Sequence, residues 1–511
     1  MQLARIYEQS LEQAPDKVAF YCGDNSCTYG KLDEMARRYA AALSGLGVKQ
    51  GDRVALLMYN RPEIVWFMFG CFKLGAVAVP VSCFSARDEV AHDVGHSGAK
   101  LLFASGEHYP AIRDIDGLPS LEAIHCIDSG ADSQSAAWRE MLDRAVPFAD
   151  PVELDPSAPA VILYTSGSTS RPKGVTHTHR SLWSCSVNRI ETLSCTRDDR
   201  FVNVGYLCHG AAFSTALLPM LHVGGTAIFL PRYSSNGLLA VLARHRPTLG
   251  AAGPSHVWEI LDHPQRPETD FGCLRYFSAG GDAVHEALFD AFQTKTGLPL
   301  SASMGMTECG TYLTSPSGAP HKRGSLGVPT YGVEVRMVDE EGKDVPQGEV
   351  GQLIVRSDTV MSGYWNDPEN TGATLVGGWL YTGDLAHRDE DGYFYFVSRS
   401  KNMIVRDSGN ISPGEVEDAI NLHPAVRCSG VLGIPDKLHG QGVCAFVEFW
   451  DSAAQVPAPE ELQAFLSTRL AARKMPDHWV IIEKLPATPY GKVDRKALKQ
   501  LAGERFEIDL T

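Results

Sequence analysis

The sequence predicts an α/β fold: a large N-terminal domain of βα-layered sheets with a small antiparallel barrel, followed by a small α+β C-terminal domain. In the first four-fifths of the chain, short apolar runs alternate with helical patterns, which is typical of βα units on mostly parallel sheets. Between residues 331 and 357 the pattern changes to alternating strands, with turns at Glu341-Gly342 and Gln347-Gly348. From Ser398 onward the segments are shorter and more basic.

The predicted strands of the large domain are short apolar runs separated by helical or turn-rich segments. One longer apolar run, residues 65–84, is interrupted by Lys73, Gly75 and Pro80. These interruptions predict a buried helix that ends near Leu74 and is followed by a strand, and they argue against a membrane span. The predicted strands are 54–58, 76–81, 101–104, 161–164, 226–230, 248–251 and 275–278.

Length and charge restrict the class of protein. A chain of 511 residues is too long for one compact core, so we expect domains at 1–397 and 398–511. The formal net charge of −15 argues against a nucleic-acid partner. The N-terminus carries charges where a signal peptide needs an apolar stretch, which predicts a cytoplasmic protein. The sequence leaves open whether the chain is a monomer or a homodimer.

The most informative segment is a loop rich in hydroxyl groups and glycine around Lys173, directly after the apolar strand 161–164. Small residues free the backbone N–H groups and hydroxyls to face an anion, and the lysine adds a point charge. The spacing differs from that of a Walker loop. A solvated linker is the alternative for such a composition. The predicted phosphate-binding residues are Thr165, Ser166, Gly167, Ser168, Thr169 and Lys173.

This loop resembles the phosphate-loop signature of the adenylate-forming superfamily, which includes acyl-CoA synthetases, luciferase-like enzymes and peptide-synthetase adenylation domains. Further segments resemble the superfamily in the expected order, so the resemblance covers essentially the whole chain. It implies ATP and Mg²⁺ as requirements and coenzyme A as the thiol acceptor. Two positions depart from the pattern: Ser170 replaces a usual glycine, and Met304 replaces an aromatic residue that stacks on adenine.

The resemblance implies a role for each matched residue. Thr307 and Glu308 approach the phosphates and the magnesium ion, with Glu308 as the metal ligand. Asp384 accepts hydrogen bonds from both ribose hydroxyls, which suits an acceptor-only carboxylate. Lys492 bridges the carboxylate and the α-phosphate as negative charge develops. The remaining nucleotide-binding positions implied are Gly280, Gly281, Asp282, Met304, Gly305 and Arg399.

Other matched positions concern the acid, the thiol and the movement between half-reactions. His209 lies beside the incoming carboxylate in the family, although a lone histidine is as often a structural group. Lys401 falls at the hinge on which a mobile C-terminal lid rotates. The thiol-binding residues implied are Ser408, Gly409 and Asn410, and those of the acyl pocket are Phe213, Pro254 and Ala279.

These inferences predict an AMP-forming acid–thiol ligase that adenylates a fatty or aryl acid and transfers the acyl group to coenzyme A. One alternative is a stand-alone enzyme that loads the phosphopantetheine thiol of a carrier protein. A second alternative, suggested by Ser170 and Met304, is a nucleotide- or acyl-binding protein without catalysis. The second alternative is disfavoured by the joint presence of Lys173, Glu308, Asp384, Arg399 and Lys492.

Overall fold

The computed structural model describes residues 1–128, 133–165, 172–266, 269–282, 284–315, 322–406, 409–436, 439–451, 456–488, 492–506 and 508. For residues 133–137, 401, 409 and 410 only the backbone is described. No helix in these ranges is both long and apolar enough to cross a membrane.

The strands follow the predicted runs closely. In chain order they are Val18–Cys22 (β1), Asn25–Thr28 (β2), Arg53–Leu57 (β3), Val77–Pro80 (β4), Leu101–Ala104 (β5), Ala123–Cys126 (β6), Pro159–Thr165 (β7), Lys173–Thr178 (β8), Arg200–Asn203 (β9), Thr226–Phe229 (β10), Leu249–Ala252 (β11), Tyr276–Gly280 (β12), Ser301–Met306 (β13), Gly310–Thr314 (β14), Val328–Pro329 (β15), Glu334–Val338 (β16), Gly351–Arg356 (β17), Gly363–Tyr364 (β18), Leu375–Val376 (β19), Trp379–Arg388 (β20), Phe394–Arg399 (β21), Ile404–Arg406 (β22), Gly409–Ile411 (β23), Val426–Asp436 (β24), Gly440–Phe449 (β25) and His478–Ile481 (β26).

The helices alternate with these strands. They are Glu8–Gln13 (α1), Tyr29–Gly45 (α2), Pro62–Leu74 (α3), Arg87–Ser97 (α4), Tyr109–Ile112 (α5), Ser133–Arg144 (α6), His179–Leu193 (α7), Gly210–Ala212 (α8), Leu218–Val223 (α9), Ser235–His245 (α10), Pro254–Leu261 (α11), Glu286–Thr296 (α12), Pro368–Thr374 (α13), Pro413–Asn421 (α14), Pro459–Leu466 (α15) and Arg495–Phe506 (α16). A π-helical turn, Phe213–Leu217, joins α8 to α9.

Two large sheets confirm the predicted α/β layers. The first has the order β15-β14-β13-β12-β11-β9-β10-β1-β2, and its central strands, from β13 to β1, are parallel. The second has the order β18-β8-β7-β4-β3-β5-β6, with parallel pairing from β7 to β6. Strands β7 and β8 form an antiparallel hairpin, so the predicted phosphate loop connects two paired strands.

The buried helix predicted within residues 65–84 is α3. Pro62 occupies its first turn, where its missing N–H costs no hydrogen bond. The helix ends at Gly75, whose φ of 77° is the left-handed conformation that glycine adopts without strain. Residues from Phe67 to Leu74 are buried, and β4 follows at Val77. The break at Gly75 therefore separates a helix from a strand, as the sequence indicated.

Two smaller sheets follow; they are antiparallel except for the parallel pair β25 and β26. The predicted antiparallel segment at residues 331–357 forms β16 and β17, which join β19, β20 and β21. After residue 399, strands β22 to β26 make a separate five-stranded sheet. Its strands β24 and β25 pair over ten residues, and α14, α15 and α16 accompany the sheet. The C-terminal part is thus a small α+β unit with its own apolar clusters.

Candidate functional site

The phosphate end of the site lies at the β7–β8 hairpin. Thr165 and Lys173 are cross-strand partners at the ends of these strands. The ammonium of Lys173 donates a hydrogen bond to Asn370 Oδ1 and lies 5.0 Å from the centre of the Tyr364 ring. Residues Ser166, Gly167, Ser168 and Thr169 lie outside the described residues. The described flanks therefore hold the lysine at the base of the predicted phosphate loop.

Helix α4 contacts both ends of that hairpin loop. His96 Nδ1 lies 2.9 Å from the hydroxyl of Tyr164, the residue before Thr165. One turn earlier, His92 Nε2 lies 3.4 Å from the carbonyl oxygen of Pro172. Because residues four apart lie on one helix face, both imidazoles contact the ends of the loop from the same side.

Thr307 and Glu308 follow strand β13, and each accepts a hydrogen bond from a side chain of another element. The buried His177 donates from Nε2 to the carbonyl oxygen of Thr307 at 2.6 Å. The hydroxyl of Tyr364 donates to Glu308 Oε1 at 2.8 Å. Only 8% of Glu308 is exposed, and burial raises the pKa of its carboxyl group above the usual range although Tyr364 and Arg399 oppose this. A cation bound at this carboxylate would offset the cost of burying its charge.

Asp384 is the most deeply buried carboxylate of the site, with 1% exposure. It lies on β20 directly opposite Arg399 of β21, and Arg399 Nε is 3.1 Å from Asp384 Oδ1. The hydroxyl of Tyr312 donates to the other oxygen, Oδ2, at 2.8 Å. These contacts fix the carboxylate in one orientation at the wall of the cleft, which is what recognition of two vicinal hydroxyls requires.

Lys492 reaches the same region from the C-terminal part. A Cβ atom placed on Gly281, whose φ is 88°, would lie 3.4 Å from Lys492 Cε. The next backbone N–H, that of Val493, donates to Asp282 Oδ2 at 2.9 Å. Lys492 is exposed to the solvent of the cleft, but the protein packed around its ammonium lowers its pKa, with Asp282 opposing this and Arg399 adding to it.

His209 precedes the short helix α8, and its ring lies close to the ammonium of Lys492. Burial, with a smaller contribution from the charge of Lys492, lowers the pKa of His209 to about 4. The imidazole is therefore neutral near pH 7. The next residue, Gly210, is packed so closely that a Cβ on it would lie 3.5 Å from Thr307 Cγ2. The segments that carry His209 and Thr307 are therefore in contact with each other.

Mutual electrostatic effects tie these groups into one cluster. Asp384 and Arg399 shift the pKa of both Glu308 and Lys492, and Lys492 shifts that of His209. The structure therefore brings together residues that are separated by up to 283 positions in the sequence, from His209 to Lys492. Buried carboxylates and a cation with a lowered pKa in one cleft are typical of catalytic sites.

The cleft between the N-terminal sheets and the C-terminal part has a volume of about 760 Å³. The two sides also contact each other directly, because His285 Nδ1 and Asp418 Oδ1 form a hydrogen-bonded ion pair. Asp282, Met304, Gly305, Asp384, Arg399 and Lys492 line the cleft, together with Pro413 and Gly414 of α14.

The described residues among those predicted to bind the thiol or the acyl group are not part of the cleft lining. Gly409 and Asn410 form part of strand β23, and Ser408 lies outside the described residues. Phe213 is fully buried in the π-helical turn and packs 6.3 Å from Phe72, measured between ring centres. The other two predicted residues are buried at the ends of neighbouring elements, Pro254 at the start of α11 and Ala279 in β12.

Gly280 and Gly281 have structural reasons to be glycine. A Cβ on Gly280 would lie 2.7 Å from the carbonyl oxygen of Ser303, so the small residue permits β12 and β13 to approach closely. Gly281 has a left-handed backbone and faces Lys492. Both positions keep space for a ligand between the strand ends and the lysine.

Sequence reasoning missed Tyr312, Tyr364 and Asn370. Each contacts a predicted site residue through its side chain: Tyr312 contacts Asp384, Tyr364 contacts Glu308, and Asn370 contacts Lys173. Nothing in their spacing indicates these contacts, since Asn370 is 197 positions from Lys173. The short strand β18, which pairs Tyr364 with Val175 of β8, is what brings the tyrosine to the site.

Comparison with known proteins agrees with this geometry. The AMP-binding enzyme family matches residues 7–365, and its C-terminal domain matches residues 415–492. A feruloyl-CoA synthase from Amycolatopsis sp is 34% identical over 499 residues, covering 96% of this chain and 97% of the relative. The long-chain-fatty-acid–CoA ligase FadD13 of Mycobacterium tuberculosis is 32% identical over 482 residues, covering 93% of each.

Among solved structures, the anthranilate CoA ligase AuaEII in complex with anthranoyl-AMP superposes with a TM-score of 0.94 at 28% identity. The match covers 99% of this chain and 98% of that one. Matches of this length leave no part of the described fold unexplained by the family. The chain therefore belongs to the AMP-binding enzyme family, as an AMP-forming acid–thiol ligase of the acyl-CoA synthetase type.

Proposed function

We propose that the protein adenylates a fatty or aryl carboxylic acid with ATP and transfers the acyl group to coenzyme A. The observation that carries this proposal is that Lys492 shares one cleft with the buried carboxylate of Asp384, whose charge also acts on the buried carboxylate of Glu308. A cation is needed where the acid and the α-phosphate meet, since both are anions. Fixed carboxylates suit the ribose and a metal ion.

In the first half-reaction, the acid carboxylate attacks the α-phosphate of ATP, and an acyl-adenylate forms while pyrophosphate leaves. Lys492 stabilises the negative charge shared between the acid and the phosphate. Lys173 and the hydroxyl-rich loop receive the pyrophosphate. His209, neutral near pH 7, positions the acid without adding a competing cation.

The residues present also fit a Mg²⁺ ion. Glu308 offers a buried carboxylate with a raised pKa, and hard divalent cations prefer such oxygen ligands. We assign the ion to Glu308, with Thr307 beside it, and the ion when bound would neutralise charge on the triphosphate.

The second half-reaction needs a different arrangement of the C-terminal part. We place the domain boundary at residue 398 and the hinge at Lys401, in the short 3₁₀ turn Ser400–Asn402. Rotation there withdraws Lys492 and brings the strand of Gly409 and Asn410 toward the adenylate, whose carbonyl the thiol attacks with AMP as leaving group. The likeness to a ligase holding an acyl-adenylate supports the described arrangement as the adenylate-forming one.

The test is AMP and pyrophosphate release with Mg²⁺ and ATP across fatty, aryl and amino acids, with and without coenzyme A. We expect AMP release and a coenzyme A thioester with one class of fatty or aryl acid. Thioester formation only on a carrier-protein phosphopantetheine would favour the carrier-loading alternative. Absence of both AMP and pyrophosphate with every acid would contradict catalysis.

A further inference from the structure

Arg189 of α7 is a buried cation that the functions described so far do not use. Only 2% of the residue is exposed. Its guanidinium carbon lies 5.8 Å from the ring centre of Phe201 on β9 and 5.7 Å from that of Tyr276 on β12. The aromatic faces partly stabilise the charge, since they attract cations. The guanidinium therefore lies within cation–π distance of side chains from two strands of the large sheet.

Two nitrogens of this guanidinium lack a hydrogen-bond partner. In the part of the chain that the structure describes, neither Nε nor Nη1 of Arg189 donates to any atom. The carboxylate of Asp199, which ends the segment after α7, is engaged by Arg275 at 2.8 Å and 3.0 Å. Buried donors of this kind are costly unless an acceptor reaches them.

A small cavity lies beside these donors. Its empty volume is about 190 Å³, and as the side chains stand it is too narrow for a free water molecule. Thr359 contributes a buried hydroxyl whose oxygen has no partner among the described residues. The polar side chains that line the cavity with Arg189 are Asn188, Ser214, Thr215, Thr311 and Thr359.

The cavity adjoins the back of the acid site. Ser214 donates to the carbonyl oxygen of Gly210, the residue after His209, at 2.7 Å. Cys309, which also lines the cavity, directly follows Glu308. One wall is the π-helical turn Phe213–Leu217, and such turns are often found at functional sites. Binding at this cavity would require an acid to extend from His209 along α8 to the π-helical turn.

We propose that Arg189 determines acid specificity by binding an oxygen acceptor at the far end of the substrate. The substrate class is then a carboxylic acid with a distal hydroxyl, carbonyl or carboxylate oxygen, and a carboxylate gains most because its hydrogen bond is charge-assisted. Entry of that group requires the Ser214 and Thr215 side chains to move. This inference rests on the proposed function, because it concerns the same acid. If Arg189 is only a stacked structural cation, the distal group has no influence.

The experiment compares matched acids of equal length. One series is an n-alkanoic acid with its ω-hydroxy and ω-carboxy analogues; the other is an aryl acid with para-hydroxy and para-carboxy analogues. For each, kcat/KM is measured from pyrophosphate release. For the wild type we expect at least a ~10-fold preference for an acceptor-bearing acid over its apolar analogue, because unpaired buried donors disfavour the apolar one. The quantity compared between variants is the ratio of kcat/KM for the acceptor-bearing acid to kcat/KM for its apolar analogue. A loss of activity that affects both acids equally leaves this ratio unchanged.

In Arg189→Met the ratio should fall to about one, and in Arg189→Lys it should fall part of the way, because a lysine keeps the charge without the planar fork. Arg180→Met, on the exposed first turn of the same helix, is the matched control and should keep the wild-type ratio. Thr311→Val removes a cavity hydroxyl without removing the buried charge. It should lower the ratio several-fold, and it serves as the test if Arg189→Met does not fold.

A wild-type enzyme that favours the apolar acids, or an unchanged ratio in Arg189→Met, would overturn the inference while leaving the proposed function intact. An unchanged ratio in Thr311→Val would do the same if Arg189→Met does not fold. Failure of every acid to release pyrophosphate would instead overturn both.

Discussion

The two sides of the cleft are built differently. On the N-terminal side, Asp384 and Glu308 are 1% and 8% exposed and each accepts a hydrogen bond from a tyrosine hydroxyl. On the C-terminal side, Lys492 is exposed and belongs to a loop outside any strand or helix. The two carboxylates are thus fixed by their surroundings, and the rotation proposed above would move only the cation.

The contacts between the two sides support this interpretation. Val493 is held by a single backbone hydrogen bond to Asp282, and His285 pairs with the half-exposed Asp418. Polar contacts of this kind exchange for water at low cost, since exposed ion pairs contribute only ~0–1 kcal/mol. Arg495, by contrast, pairs with Glu417 within the C-terminal part at 2.8 Å and 3.0 Å. The segment after Lys492 is thus bound more firmly to helix α14 of the C-terminal part than to the N-terminal side of the cleft.

The largest expected effect is that of Lys492→Ala. Adenylate formation should fall by roughly 100-fold or more, because a donor aimed at developing charge contributes ~3 kcal/mol. Thioester formation from supplied acyl-adenylate should remain within a few-fold of the wild type, since the proposed rotation withdraws the lysine in that step. The measurements are single-turnover rates of each half-reaction. Lys496→Ala, an exposed lysine on the first turn of α16, is the control. Equal loss in both steps would rule out alternation.

The converse defect is expected from Lys401→Pro. Proline fixes φ and obstructs the backbone change required at the proposed hinge. Thioester formation should slow by about 10-fold or more while adenylate formation is largely kept, on the premise that chain rotation limits the second step. The same single-turnover pair of measurements applies. A wild-type rate of thioester formation would place the hinge elsewhere.

Asp384→Asn should affect both half-reactions, because the ribose is bound throughout. The KM for ATP should rise by ~10-fold or more, as expected when a charged hydrogen-bond acceptor worth ~1.5–3 kcal/mol is lost. The measurement is ATP–pyrophosphate exchange together with thioester formation from supplied adenylate. Asp391→Asn, whose side chain is 72% exposed and pairs with Lys322, is the matched control. A defect confined to one half-reaction would contradict the preorganised role.

A smaller effect is expected from Asp418→Asn. Burial of the His285 ring opposes protonation, but the hydrogen bond and charge of Asp418 outweigh it and raise the pKa of His285. A raised pKa means that the pairing is complete below about pH 6.5 and is lost as the pH rises through the raised value. The variant should therefore slow adenylation a few-fold near pH 6, and the difference from wild type should shrink toward pH 9. A pH-independent difference would exclude this ion pair as the cause.

The fold was largely predictable because its signals are local. The seven predicted strands of the large sheets are short apolar runs, whereas polar strands such as β2 and β8 lack this signal and were not predicted. Gly75 ends α3 through a left-handed backbone that glycine favours. The observed bounds differ from the predicted ones by one or two residues, as at β11 and β12, because strand ends are set by pairing with neighbours rather than by composition.

The site was predictable only where a motif carried it. Lys173, Glu308, Asp384 and Lys492 stand in recognisable segments, and the structure brings the last three together. Supporting residues such as Tyr312 and Arg189 stand in no such segment. Their positions follow from the packing of distant strands and helices, which a single sequence does not encode as spacing.

The smallest expected effect concerns the contribution of His209, a neutral group beside the cation of Lys492, to the pH dependence of stability. Its pKa is lowered to about 4, so the unfolded chain binds a proton between about pH 4 and 6.5 that the folded chain does not. Stability should therefore fall as the pH decreases through that range. Between pH 7 and pH 4.5, the free energy of unfolding should fall by ~1–2 kcal/mol less in His209→Asn than in the wild type. The measurement is urea denaturation at each pH. His387→Asn, on the cleft wall formed by β20, is the control. An acid sensitivity that His209→Asn leaves unchanged would mean that the pKa of His209 is the same in the folded and the unfolded chain, and that the imidazole does become charged beside Lys492 below about pH 6.5.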